Sequence, residues 1–220
     1  MDPQIIVALI SLAGVIYSAT VGAGFYYLKR QQNQHKKEIK ELSEEAVIKA
    51  RQLFHAEVTA PYYPVKEWTH FVNKVRKLNA STNVDRVLVL VALNGDDNPS
   101  HASVVWEHRT EGESYSYVDV PLDQDYVHRL LDSKSGPIHF KTKDVSGTLI
   151  GKFYGDEGVT ESIWAMIGKR TSPITHQVAY KYISIATHTK FENPKEMKRL
   201  LNDLVAEFRS IASAANFGPI

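Results

Sequence analysis

From Pro3 to Leu28 the chain runs 26 residues without one Asp, Glu, Lys, Arg or His, and no other segment narrows the possibilities so far. As a helix it would rise about 39 Å at ~1.5 Å per residue, against a hydrocarbon core of roughly 30 Å. A transmembrane helix is therefore predicted within residues 1–30. Pro3 suits a first helical turn, Tyr26 and Tyr27 lie where an aromatic belt belongs, and Lys29 and Arg30 close the run. A cleaved signal peptide is the competing reading, with Val21, Gly22 and Ala23 as its small-residue site. Against it, Asp2 rather than Lys or Arg precedes the apolar stretch, which exceeds the roughly 7–15 residues of a signal core.

Lys29, Arg30, Lys36 and Lys37 follow the span with no acid among them, which predicts an outside N-terminus and a cytoplasmic remainder. The bilayer is thus an expected partner, and each cation would add about 1 kcal/mol of attraction to anionic lipid. Gly14, Ser18 and Gly22 repeat every four residues, a small-residue face that lets two membrane helices approach closely. Residues 31–60 read as a helical connector in which Ile39, Leu42, Ala46, Lys49, Leu53 and Ala56 alternate spacings of three and four, a coiled-coil seam broken by one lysine. Together these predict a homodimer. Two plainer readings stay open: ordinary membrane composition for the small residues, and a helix folded onto its own domain for the seam.

The remaining residues, 61–220, are read as one domain. With 26 Lys+Arg against 25 Asp+Glu in 220 residues, no excess of cations marks a nucleic-acid partner. A 43% hydrophobic content supplies a core, and the absence of cysteine excludes disulfides, thiolate metal sites and cysteine nucleophiles. Pro61 and Pro64 end the connector. Val65 to Leu78 is an amphipathic helix, Val84 to Leu93 a strand buried on both faces, and Ala102 to Arg109 its return. Tyr115 to Val120 is a short strand, Asp123 caps a helix, and Ile138 to Lys143 is a further strand. Ser146 to Gly158 reads as an irregular, glycine-rich flap. Glu161 to Lys169 and Gln177 to His188 form a hairpin, and a helix from Asn193 closes the chain. The fold class is α+β, an antiparallel sheet flanked by helices.

From Val65 to Asn216 this order of elements resembles the GAF domain, of the GAF/PAS superfamily. The likeness is nearest where Tyr180 to Thr187, then Phe191 and Glu192, then Lys195 to Ala215 match the family's last strand, link and closing helix. The resemblance implies a sensory fold with a small-molecule ligand between the sheet and the segment Asp123 to Gly158. Trp106, Phe140, Tyr154, Trp164 and Tyr182 are candidates to line that site, with His139 as a polar contact. Neither the Asn-Lys-Phe-Asp motif of members that hold cyclic nucleotides nor the cysteine of members that attach a bilin is present. In architecture alone the chain also resembles T-type phage holins, which join one membrane helix to a soluble α+β domain facing the periplasm and permeabilise the inner membrane in lysis. The cations after the span favour the opposite orientation.

No catalytic signature stands out. The nine histidines include no His-Glu-x-x-His, no Gly-x-Ser-x-Gly elbow occurs, and Gly147, Gly151, Gly155 and Gly158 lack the lysine of a phosphate loop. A non-enzymatic binding or interaction module is expected, with no cofactor and no metal. Because the chain has no cysteine, single replacements report topology cleanly. In intact cells a thiol reagent that cannot cross the inner membrane is expected to label Asp2→Cys and spare Asn98→Cys; the reverse pattern would place the domain outside.

Overall fold

In the computed structural model, residues 3–59, 63–95, 98–110 and 117–213 are described, with the backbone alone at 3–25, 27, 28, 94, 95, 212 and 213. Helix α1 (Pro3–Thr59) is continuous over 57 residues, and the chain divides into two compact units, Met1–Lys49 and Ala50–Ile220. Gly14, Ser18 and Gly22 lie outside the residues whose side chains are described. Among the residues whose side chains are described, which leave out most of Pro3 to Leu28, no helix is long and apolar enough to cross a membrane. Ile39, Leu42 and Leu53 of the predicted seam are exposed, whereas Phe54 and Val58, four residues apart on a different face, are buried in the core of the second unit.

That unit is an α+β layer structure. Helix α2 (Val65–Ser81) leads to strands β1 (Arg86–Gly95), β2 (His101–Arg109) and β3 (Val120–Pro121), then α3 (Gln124–Asp132), β4 (Ile138–Lys141), α4 (Leu149–Asp156), β5 (Glu161–Thr171), β6 (Val178–Thr187) and α5 (Pro194–Ser213). The six strands form one antiparallel sheet ordered β3-β2-β1-β6-β5-β4. Its centre is buried on both sides, which is why Val87 to Leu93 is apolar without a break. Val87, Val89, Val91, Ile183 and Ile185 pack on one side with Phe54, Phe71, Leu201 and Phe208. Leu88, Leu90, Trp164 and Tyr182 face the other side, toward Tyr126 and Leu130 of α3 and Ile150 and Tyr154 of α4.

One irregularity decides which residues of β2 face which layer. Val89 pairs with Trp106 but Leu90 pairs with Val104, so Val105 is an extra residue, a β-bulge. Simple alternation would put Trp106 on the same face as Ala102 and Val104. The bulge turns it over and brings Glu107, opposite Leu88, to that face instead.

The predicted flap is corrected: Ser146 to Gly158 contains helix α4. Thr148 caps it, accepting from the Gly151 amide at 3.2 Å, and Ile150 and Tyr154 form its buried face at four-residue spacing. Gly151 permits close packing rather than motion, since a Cβ there would lie 2.0 Å from the Val145 carbonyl oxygen. Of the predicted strand Tyr115 to Val120, residues 117–119 are not strand and only Val120, with Pro121, pairs in the sheet; residues 111–116 lie outside the described residues.

On the α2 and α5 side, β6 carries a fully buried Lys181. Its Nζ donates to the Tyr63 hydroxyl at 2.8 Å and lies 5.9 Å from the Phe208 ring. Burial, and secondarily the nearby Arg170, lowers its pKa to about 7 from 10.5. Between those two values the unfolded chain holds a proton that the folded chain lacks, so stability rises with pH through this window and is flat below it with respect to Lys181. Denaturant titrations from pH 7 to 9, below the tyrosine range, are expected to show that rise, and Lys181→Met is expected to remove the slope.

Candidate functional site

Beneath α3 and α4 lies a cavity of about 50 Å³, where one water takes roughly 10–15 Å³. Its floor is the sheet: Leu88 and Leu90 of β1, Ala102 and Val104 of β2, Trp164 of β5 and Ser184 of β6. Its walls are Leu122, Tyr126, Ile150, Phe153 and Tyr154, and one end is lined by Arg86, Tyr117 and Glu157. The lining is thus mostly apolar, with the charged end and the polar atoms of Tyr126, Tyr154, Trp164 and Ser184 as its exceptions.

The polar end is a buried charge cluster. Arg86 Nη1 donates to Glu157 Oε2, and the Tyr117 hydroxyl donates to Glu157 Oε1. Arg86 Nε stands 3.6 Å and Arg109 Nε 2.8 Å from Glu107 Oε1, ion pairs in which that oxygen accepts no hydrogen bond. The Arg86 and Glu157 side chains are 4% and 1% exposed, so water does little to screen them from each other. Burial pushes the Arg86 guanidinium below its ordinary pKa, opposed by Tyr154 and Glu107. Among the described residues no three His, Asp or Glu side chains are grouped to hold a metal.

Two devices position the roof. The Asp123 carboxylate accepts from the Tyr126 amide through Oδ1 and from the Leu149 amide through Oδ2, both at 2.8 Å, so one side chain holds the first turns of α3 and α4 together. Trp164 Nε1 donates to the Tyr154 hydroxyl at 2.8 Å, and that hydroxyl donates to Ser162 Oγ at 3.1 Å, which fixes both aromatic rings. The Tyr126 and Tyr182 hydroxyls share a hydrogen bond, and burial raises the pKa of each.

Of the residues chosen from the sequence, Tyr154 and Trp164 line the cavity. Phe140 and Tyr182 pack behind them, Phe140 stacked on Tyr154 at 5.8 Å and Tyr182 at 5.6 Å from Trp164. Trp106 lies across the sheet, 5.3 Å from Trp68, because of the Val105 bulge. His139 is also across the sheet, on the opposite face of β4 from Phe140, with Nε2 3.1 Å from Glu161 and its ring 5.9 Å from that of Phe191. Arg86, Glu107, Tyr117 and Glu157 were not anticipated. An arginine opening an otherwise apolar strand was the one readable sign. Lys29, Arg30, Lys36 and Lys37 are exposed on α1.

No protein-family model matches the sequence, and no curated protein matches it. Among solved structures, the chain is similar to the GAF domain of a two-component sensor histidine kinase from Bacillus halodurans, at 11% identity and a TM-score of 0.44, over 67% of this chain and 97% of that one. It is similar to the phycoerythrobilin-bound GAF domain of a cyanobacterial phytochrome at 12% identity and a TM-score of 0.47, over 78% of this chain and 95% of that one. With the chromophore-binding domain of an unusual bacteriophytochrome from R. palustris the values are 13% and 0.47, over 78% of this chain, which spans 62% of that one.

Asp123→Ala removes both roof bonds at once. It is expected to cost about 2–3 kcal/mol in denaturant unfolding, more than the ~1 kcal/mol of an ordinary N-cap, and to speed amide exchange at Leu149 as well as at Tyr126. A cost confined to the first turn of α3 would show that the bond to Leu149 contributes nothing.

Proposed function

We propose that this chain is a membrane-anchored, non-enzymatic GAF-like module that binds a small molecule beneath α3 and α4 and acts through self-association of α1. The observation that carries the ligand reading is the cavity, apolar along the sheet and charged at one end. Binding pockets combine such walls with a few convergent polar groups. At about 50 Å³ it is far below the roughly 300–1,000 Å³ of sites for drug-sized ligands, so the ligand is a few non-hydrogen atoms in size.

Support for the anchor comes from the charge-free run Pro3 to Leu28 within the unbroken backbone helix of α1, and from the cations that follow it, which orient the domain to the cytoplasm. Support for a homodimer comes from the exposure of Ile39, Leu42 and Leu53 on that helix, a seam that a second copy would cover.

Small fragments with one polar group, screened by ligand-observed NMR against the full chain in detergent micelles, are expected to include binders. Val104→Phe, which fills the cavity, is expected to abolish their binding while the protein still melts cooperatively. Fragments that bind this variant unchanged would remove the cavity from consideration. Cross-linking of the full chain in membranes is expected to fall with Leu42→Asp, and cross-linking equal to that of the wild type would leave the seam without a partner.

A further inference from the structure

We propose that the cavity is a site for a short aliphatic monocarboxylate, which pairs with Arg86 by displacing the carboxylate of Glu157. This rests on the ligand reading above and names the chemistry of that site. The guanidinium of Arg86 is a planar fork suited to a carboxylate, and it lines the cavity. Its present partner is itself a carboxylate, supplied by the chain, with a side chain 1% exposed. Glu157 therefore occupies the place a ligand's head group would take.

Charge neutrality makes this an exchange rather than an addition. Arg86 and Arg109 stand against Glu107 and Glu157. A further buried anion would leave the cluster with excess negative charge, at high cost in a dry site, so the ligand is accommodated only as Glu157 leaves.

Glu157 is placed to leave. It follows the last residue of α4, a helix of 8 residues, where its negative charge gains nothing from the helix dipole. The next residue, Gly158, has φ +69°, a conformation a glycine adopts without strain. The side chain can turn outward by motion at this end of the helix while Asp123 still holds the other end.

The remaining walls set the tail. Away from Arg86 the lining hydroxyls of Tyr126, Tyr154 and Ser184 are already bonded to Tyr182 or Ser162, and Leu88, Leu90, Val104 and Phe153 are apolar, so a hydrated inorganic anion loses more water than these walls replace and an aliphatic chain does not. The cavity volume limits that chain to a few carbons. A cation would meet the guanidinium.

The test titrates butyrate, and butyramide as its neutral counterpart, into the full chain in detergent micelles by calorimetry. Butyrate is expected to bind the wild type weakly, because Glu157 competes from within. Glu157→Gln is expected to tighten butyrate about tenfold or more with no comparable gain for butyramide, and to lose thermal stability that butyrate restores. The double variant Arg86→Met with Glu157→Met, which removes both charges and leaves Glu107 with Arg109, is expected to keep butyramide and lose butyrate. Amide exchange over residues 149–158 of the wild type is expected to quicken with butyrate and not with butyramide. Equal tightening of both probes by Glu157→Gln, or butyrate retained by the double variant, overturns the carboxylate assignment and leaves the ligand-site reading intact. Neither probe binding the wild type or Glu157→Gln, each folded by its melting transition, overturns both.

Discussion

A guanidinium taken out of water must be met by carboxylates, and in this protein that requirement starts at Arg86. Desolvating a charge costs several kcal/mol even after relaxation, and leaving it unpaired costs about 3–5 kcal/mol. Three separate parts of the chain answer it. The bulge at Val105 turns Glu107 inward, the end of α4 delivers Glu157, and the segment before β3 brings Tyr117 against Glu157. Glu107 and Glu157 reach Arg86, and Tyr117 reaches Glu157, from three different places in sequence, so the cluster joins β1, β2 and the roof helix. Replacing the cluster with apolar side chains of similar volume would satisfy the core at least as well. Here the cluster lies on the wall of the cavity.

The plan of the domain was legible because it rests on patterns of single elements. The Val and Leu run of β1 is long, β-branched and turn-bounded, and only a strand with both faces covered explains it. Asp123 and Asn193 mark helix starts by their own chemistry, and both side chains accept from the amide three residues on. What failed did so because tertiary contacts overrode local signals. The glycines of 147–158 suggest a loop, yet α4 forms because Thr148 caps it and its apolar side chains enter the core. Gly151 belongs there for a close approach that composition cannot disclose.

The site was less legible than the fold, and one inserted residue accounts for much of the difference. Reading β2 by period two assigns Trp106 to the cavity and Glu107 to the far side, and the bulge reverses both. Nothing in the run Ser103 to Arg109 marks the extra residue, since Val105 is as apt for a strand as its neighbours. Tyr154 and Trp164 were found because large aromatics on a buried face are both core and cavity lining, so either role selects them. Arg86 escaped notice because its role depends on partners 21 and 71 positions away.

The two faces of the sheet answer different physical demands. Opposite the cavity, Lys181 is buried against Tyr63 and Phe208 with its charged form disfavoured, and the same layer receives Phe54 and Val58 from the end of α1. On the cavity side the charges are paired and the space is incompletely filled. β1 and β6 are shared by both layers, Leu88 and Leu90 facing one and Val87 and Val89 the other. A displacement of the cavity floor therefore moves residues that pack on the helices across the sheet, because close-packed interiors transmit strain. The same continuity joins the cavity floor to the layer in which Phe54 and Val58, at the end of α1, are buried.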